Sequence, residues 1–417
     1  MSLAKNSFIY LSSNILSASI PFLLLPILTR VLSPTEYGQI AIFQTLVTGL
    51  AAFIGLNAVG AANRKYYDGY NHQELSQYNG VCLQILLGSS FFLLIICAIF
   101  LKQLSVFLAI PVSWIFSALL FSVFNFLMNL RLGQWQVRGE ALKFGILQIC
   151  NSLFNMGLSL LLVIIFHFGA QGRIDAQIIA GFLTAVFAIS MLVKEKQLSF
   201  FCWRLDYLKQ ALKFGVPLVP HVFGVFLLSA VDRFVINKEL GLESAGIYMV
   251  AVQLSMAFNI VFDAINKAYI PWLFDVLKRD NLFEKRKVVK LTYLYFLLLL
   301  LLAPFPFFIG PWALVLIVGE DYRAAGQVIG LLCLGQIFGG MYLMVTNYIF
   351  YAKRTGSLSI ITISCGMLNM FLLIVLVNQY GIVGAAWAFS ISKMLQFLLT
   401  WVLASKIISM CWFKRIL

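Results

Sequence analysis

Long apolar runs separated by short basic stretches organise this chain from end to end. A segment such as Tyr293–Gly310, YLYFLLLLLLAPFPFFIG, carries no charge and no alternation of polar and apolar positions. A helix needs about 20 mostly apolar residues to cross a hydrocarbon core of about 30 Å, and about twelve such runs are present. They lie near 8–29, 38–61, 80–101, 105–130, 144–168, 174–193, 214–236, 244–270, 291–310, 327–350, 359–377 and 382–405. A membrane barrel would need alternating segments of about ten residues, which uninterrupted runs exclude. The pattern therefore predicts an all-α polytopic membrane protein.

Composition agrees. Mean hydropathy is +0.93, and 61% of residues are hydrophobic against 11% charged, where a soluble domain carries about 25% charged residues. Charge then adds orientation. The two ends and the loops on their side hold 23 of the 30 lysines and arginines; the opposite loops hold Arg30, Lys102, Arg173, Arg233, Lys238 and Arg323. Basic residues collect on the cytoplasmic side, so both termini are expected there. The same asymmetry accounts for the net charge of +14 without nucleic acid, which would require a basic soluble face. The seven cysteines stand singly, with neither a disulfide framework nor a zinc spacing.

The longest cytoplasmic loops are expected near 194–213 and 271–290. The first divides the chain into six-helix lobes, 1–200 and 201–417. A shift of 208 residues superposes Arg30 on Lys238, Leu32 on Leu240 and Gly38 on Gly246, while Asn57 and Asn266 match one residue out of step. Six spans per half make this a parallel repeat about an axis along the membrane normal. Pro21 and Pro26 in span one, and Pro217 and Pro220 in span seven, are expected to kink their helices.

Charges inside the spans are the candidate chemistry. Lys393 lies some 11 residues into its span, roughly 16 Å deep, too far from a helix end to snorkel. An unpaired charge there costs about 2.5–3.5 kcal/mol. Ser390, Gln396 and Thr400 share its helical face, so the stripe either lines a wet cavity or pairs within the bundle. Asp263 and Lys267, with Asn259 and Asn266, form a second stripe, where the two charges are spaced to pair. Asp232 and Arg233 are neighbours that should point about 100° apart, so each is expected to seek another partner. Arg30 closes span one at the outer boundary. His221 is a solitary titratable group. No G-x-x-x-x-G-K-[ST] motif occurs, so nothing supports ATP hydrolysis.

Residues 28–68, LTRVLSPTEYGQIAIFQTLVTGLAAFIGLNAVGAANRKYYD, and residues 230–279 together resemble the polysaccharide-synthesis flippases. These are the Wzx-type O-antigen translocases of the multidrug/oligosaccharidyl-lipid/polysaccharide exporter superfamily. Arg30, Leu32, Glu36, Tyr37 and Gly38 carry the first likeness; Asp232, Arg233, Leu240, Gly241, Gly246, Tyr248 and Pro271 carry the second. The resemblance implies two six-helix lobes around a central cavity and no enzymatic chemistry. It further implies a bacterial inner-membrane flippase moving an undecaprenyl-pyrophosphate-linked oligosaccharide to the periplasmic leaflet by alternating access. Lys393 and Arg233 would hold the diphosphate, with Asp232, Arg30, Asp263, Lys267 and Gln396 as further substrate-binding candidates. Gln44, Asn57, Asn155, Gln253, Asn347 and Asn369 would bond either sugar hydroxyls or neighbouring helices. No cofactor is implied; a proton or cation gradient is the expected energy source. Membrane lipids, a polysaccharide polymerase and a chain-length regulator are the candidate partners. The rival readings are a multidrug or cation antiporter of the same superfamily and, less favoured by the short outer loops, a membrane polymerase or ligase.

Overall fold

The computed structural model describes residues 3–69, 71–200, 203–352, 354–410 and 412, and among these every regular element is helical. The extreme termini, including Lys414 and Arg415 of the basic count, lie outside the described residues. The chain separates into two compact units, 1–226 with 241–246, and 227–240 with 247–417.

The first unit contains α1 (Leu3–Leu28), α2 (Pro34–Ala51), α3 (Ala58–Lys65), α4 (His72–Ile99) and α5 (Leu101–Leu108). It continues through α6 (Val112–Val137), α7 (Ala141–Leu160), α8 (Gly169–Lys194) and α9 (Leu205–Gly215), and into α10 (Val219–Ser229) as far as residue 226. Helix starts follow local chemistry. Ser33 caps α2 reciprocally with Glu36, each side chain serving the other's backbone N–H, and Asn71 and Glu74 repeat the device at α4. Such boxes satisfy N–H groups that a helix start otherwise leaves orphaned. Helix α1 runs through Pro21 and Pro26 as one helix.

The second unit contains α11 (Asp232–Arg279) except residues 241–246, which belong to the first, then α12 (Leu282–Leu302), α13 (Phe305–Phe308), α14 (Gly310–Val318), α15 (Gly326–Tyr351) and α16 (Thr355–Ile407). Its core gathers on α15, where Gly330, Gly335 and Gly340 admit the rings of Phe307, Phe389 and Phe262. Small residues allow such close approach where no water drives helices together. Outward faces stay apolar: Leu294, Leu297, Leu298 and Leu301 of α12 are exposed at i, i+3, i+4 and i+7, a stripe for lipid tails.

Among the described residues nine helices are long and apolar enough to cross a membrane, or ten with the bent pair Pro34–Ala51 and Ile54–Asp68. Two of them, Leu205–Arg279 and Gly356–Ile407, run to 75 and 52 residues, whereas one crossing takes about 20. Each breaks at a glycine of positive φ, Gly241 at 86° and Gly381 at 59°. Counting both halves of each restores the twelve crossings. Other boundaries move. The expected loop 271–290 is mostly helix, because α11 continues to Arg279 and α12 begins at Leu282. Lys285 there is buried against Asp280. Span four starts later than expected, since the short α5 precedes α6.

Candidate functional site

Span two is not the continuous helix expected over 38–61. Its two parts, α2 and α3, meet at a bend of 51°, and Gly55, Leu56 and Asn57 all adopt positive φ, at 67°, 45° and 58°. Glycine takes this conformation freely and asparagine tolerates it, but leucine is strained there by about 1–2 kcal/mol. The surroundings hold the turn. The Gly55 N–H donates to Ser89 Oγ at 2.8 Å, and Asn57 Nδ2 donates to the Gly215 carbonyl at 3.4 Å. Gly215 is required, because a Cβ there would collide with the Leu56 carbonyl. Within a bilayer, non-helical backbone survives only where it is buried in protein or lines a cavity.

Here it lines a cavity. A space of about 460 Å³ opens beside the break, walled by α3, α6 and α7. Asn57, Asn63, Asn125, Asn129, Gln136 and Gln148 present carboxamides to it, Ser122 a hydroxyl, and Phe126 and Phe144 flat apolar faces. No lining side chain is charged. Asn63 Oδ1 and Gln148 Oε1 are buried without a hydrogen-bond partner, and a buried acceptor left unmet costs about 1–3 kcal/mol. Carboxamides both donate and accept, so this wall can meet a ligand rich in hydroxyls from either side of the bond.

Six of the seven residues proposed for substrate binding lie in the second unit, Arg30 in the first, and none of the seven lines this cavity. The expectation that Asp232 and Arg233 point apart is corrected. Arg233 Nη1 reaches Asp232 Oδ1 at 3.1 Å and donates to the Ser229 carbonyl at 2.5 Å. Asp232 is the first residue of α11, so its carboxylate can fold back over the helix start, where it also accepts the Arg233 N–H at 3.0 Å. Asp263 and Lys267 pair along the helix at 2.6 Å. Arg30 is exposed just beyond α1. Lys393 is half-buried, its ammonium 5.8 Å from the centre of the Phe389 ring. Among the described residues it forms no ion pair. On the same helix Ser390 donates to the Leu331 carbonyl at 2.5 Å, while Gln396 Oε1 and Thr400 Oγ1 are buried without partners.

The amides split as well. Asn155 accepts from the buried Arg173 guanidinium, Asn347 donates to Asn266 at 2.7 Å, and Asn369 to the Leu227 carbonyl at 2.7 Å. Those three tie helices; Asn57 lines the cavity. Asn63, Asn125, Asn129, Gln136 and Gln148 escaped the sequence reading. The signal was present: Ser122, Asn125, Asn129 and Gln136 stand at i, i+3, i+7 and i+14 of a helical span, one polar face in an apolar segment.

Comparison with known proteins supplies the family. The chain is 27% identical to Lsg locus putative protein 1 of Haemophilus influenzae over 86% of its own length and 87% of that protein. It is 22% identical to the capsular polysaccharide biosynthesis protein CapF of Staphylococcus aureus over 94% and 96%. A solved inward-facing multidrug resistance MATE family transporter of the MOP superfamily superposes with a TM-score of 0.69 over 97% of this chain and 94% of that one, at 15% identity. The likeness is one of fold. A family model described as polysaccharide biosynthesis protein matches residues 3–277, and the chain belongs to that family.

Proposed function

We propose that this protein is a flippase for a lipid-linked oligosaccharide, moving an undecaprenyl-pyrophosphate-linked repeat unit from the cytoplasmic to the periplasmic leaflet by alternating access of two lobes. The observation that carries the reading is the uncharged, amide-walled cavity at the broken span. Sugars offer dense hydroxyls and apolar ring faces, and this wall offers amides beside Phe126 and Phe144 to receive both. A carrier for cationic drugs would be expected to set a carboxylate in such a cavity, and this one contains none. Membership of the polysaccharide biosynthesis family supports the cargo class, and the transporter fold supports movement over chemistry. The proposed setting is the bacterial inner membrane with both termini cytoplasmic, as the distribution of basic residues favours. Lys393 is the proposed anchor for the diphosphate, and a polysaccharide polymerase and chain-length regulator are the proposed partners.

The test replaces Asn125 and Asn129 by leucine in a strain whose surface polysaccharide depends on this protein. The reading expects normal protein levels, lost surface polysaccharide, and lipid-linked repeat units accumulating on the cytoplasmic side. Unchanged polysaccharide would remove the cavity from the transport path.

A further inference from the structure

The helices that wall the amide cavity are not short of charge. Arg64 follows Asn63 on α3, Arg131 and Arg138 stand two residues beyond Asn129 and Gln136 on α6, and Lys143 precedes Phe144 on α7. Every one of these cations is engaged elsewhere. Arg64 stands over the Phe214 ring at 5.5 Å and Arg138 over the Tyr66 ring at 5.8 Å. Arg131 is buried against the Trp135 ring, Gln197 and the Glu195 carboxylate. Lys143 pairs with Glu140, and with Glu195 at 3.4 Å. None of the four lines the cavity, and neither carboxylate does.

The wall therefore meets a ligand with dipoles and rings alone. Gly133 shapes it: a Cβ there would collide with the Asn63 carboxamide, so the glycine seats that amide against α6. Asn63 Oδ1 and Gln148 Oε1 are left as buried acceptors without a donor. A sugar hydroxyl or the N–H of an N-acetyl group supplies one, whereas an ionised carboxylate brings only lone pairs. Turning the amides over would offer such a carboxylate N–H donors but no opposite charge, and a buried charge is costly unless it is paired. We propose, on the basis of the flippase function, that this cavity selects a repeat unit whose sugars are uncharged where they touch it and discriminates against acidic sugars. The diphosphate lies at the lipid end of the cargo and is not what this wall reads.

The test uses a strain without its own flippase, supplied with the full-length protein and with one of two lipid-linked repeat units. The units differ at a single sugar, glucose in one and glucuronate in the other, so that a carboxylate replaces a hydroxymethyl group on the same ring. Single units reaching the periplasmic side are counted per molecule of protein, which keeps any polymerase preference out of the measurement. Wild type should deliver the glucose unit about tenfold faster or more. Gln148→Lys and Gln136→Lys each place an ammonium in the wall and should narrow that ratio by raising delivery of the glucuronate unit. Gln136 is exposed, so its lysine is carried without burial. Equal delivery of the two units by wild type, or faster delivery of the glucuronate unit, overturns the selection and leaves the flippase function standing. A ratio unmoved in both lysine variants at normal protein levels does the same. Delivery of neither unit overturns the flippase function, and the selection with it. The wild-type ratio decides even where a lysine variant fails to reach the membrane.

Discussion

Gly38 and Gly246 pack backbone to backbone, and each blocks the same atom of the other's helix. A Cβ on Gly38 would collide with the Leu242 carbonyl, and one on Gly246 with the Pro34 carbonyl. Leu242 precedes Gly246 by four residues, as Pro34 precedes Gly38. The contact is thus reciprocal, and it joins the two positions that the 208-residue shift superposes. It predicts that Gly38→Ala and Gly246→Ala each destabilise by about 1–3 kcal/mol, the usual effect of overpacking. Gly157→Ala is the control: nothing lies within 4 Å of its built Cβ, and alanine should gain about 0.5–1 kcal/mol of helix propensity. Thermal unfolding of the three purified variants decides it.

The spans and their number could be read from the residues because lipid imposes composition directly. An apolar run of sufficient length has few alternatives, and the breaks at Gly241 and Gly381 fall where expected loops lie. The break at Gly55–Asn57 was harder. One glycine in an apolar run does not distinguish a left-handed turn from continuing helix, since the turn is held by partners distant in sequence, Ser89 and Gly215. Attention to charge hid the amide cavity, whose neutral side chains announce themselves only by spacing. Asp232 and Arg233 misled for another reason: helical geometry separates neighbours inside a helix but not at its first residue.

Arg131 is fully buried in α6, stacked 4.0 Å from the Trp135 ring. It is held by Gln197 at 2.6 Å and by the Glu195 carboxylate, which also meets Lys143 at 3.4 Å. Partial burial pushes the Glu195 carboxyl up, but the hydrogen bond and charge of Arg131, with Lys143 adding, hold it below its ordinary value of 4.5. A carboxylate depressed by folding stabilises fully above its unfolded pKa, and that stability is lost as pH falls through the folded one. Wild type should therefore lose stability below about pH 4.5 while E195Q shows no such dependence from this site. At neutral pH E195Q should cost about 3 kcal/mol, the low end for breaking a buried pair, because Glu195 keeps some exposure. R131M/E195Q should recover part of that loss. Unfolding curves of the three proteins across pH provide the check.

Asn57 separates strain from function at the broken span. Its φ of 58° suits glycine and excludes a β-branched side chain. Asn57→Gly keeps the left-handed turn but loses the carboxamide and its bond to Gly215, so it should fold within about 1 kcal/mol of wild type, whereas Asn57→Val should lower the Tm and the yield of folded protein further. Equal stability of the two variants would show that the turn is not held in the left-handed region in the membrane.

Lys393 allows a test in which stability and activity move in opposite directions. Without an ion-pair partner among the described residues, its ammonium contributes no pair to the fold. A charge placed deep in a bilayer helix costs about 2.5–3.5 kcal/mol on the insertion scale. Lys393→Met keeps most of the side-chain volume and removes that charge. The fold should therefore be unchanged or more stable, with a Tm equal to or above wild type. If the ammonium holds a diphosphate, surface polysaccharide should fall sharply in the same variant, and Lys393→Arg should restore part of it. A lower Tm in Lys393→Met would instead make the lysine a structural group, and normal polysaccharide at a normal Tm would remove it from the transport path. Measuring both quantities on one preparation distinguishes the three outcomes, because a structural lysine loses stability first and a binding lysine loses only export.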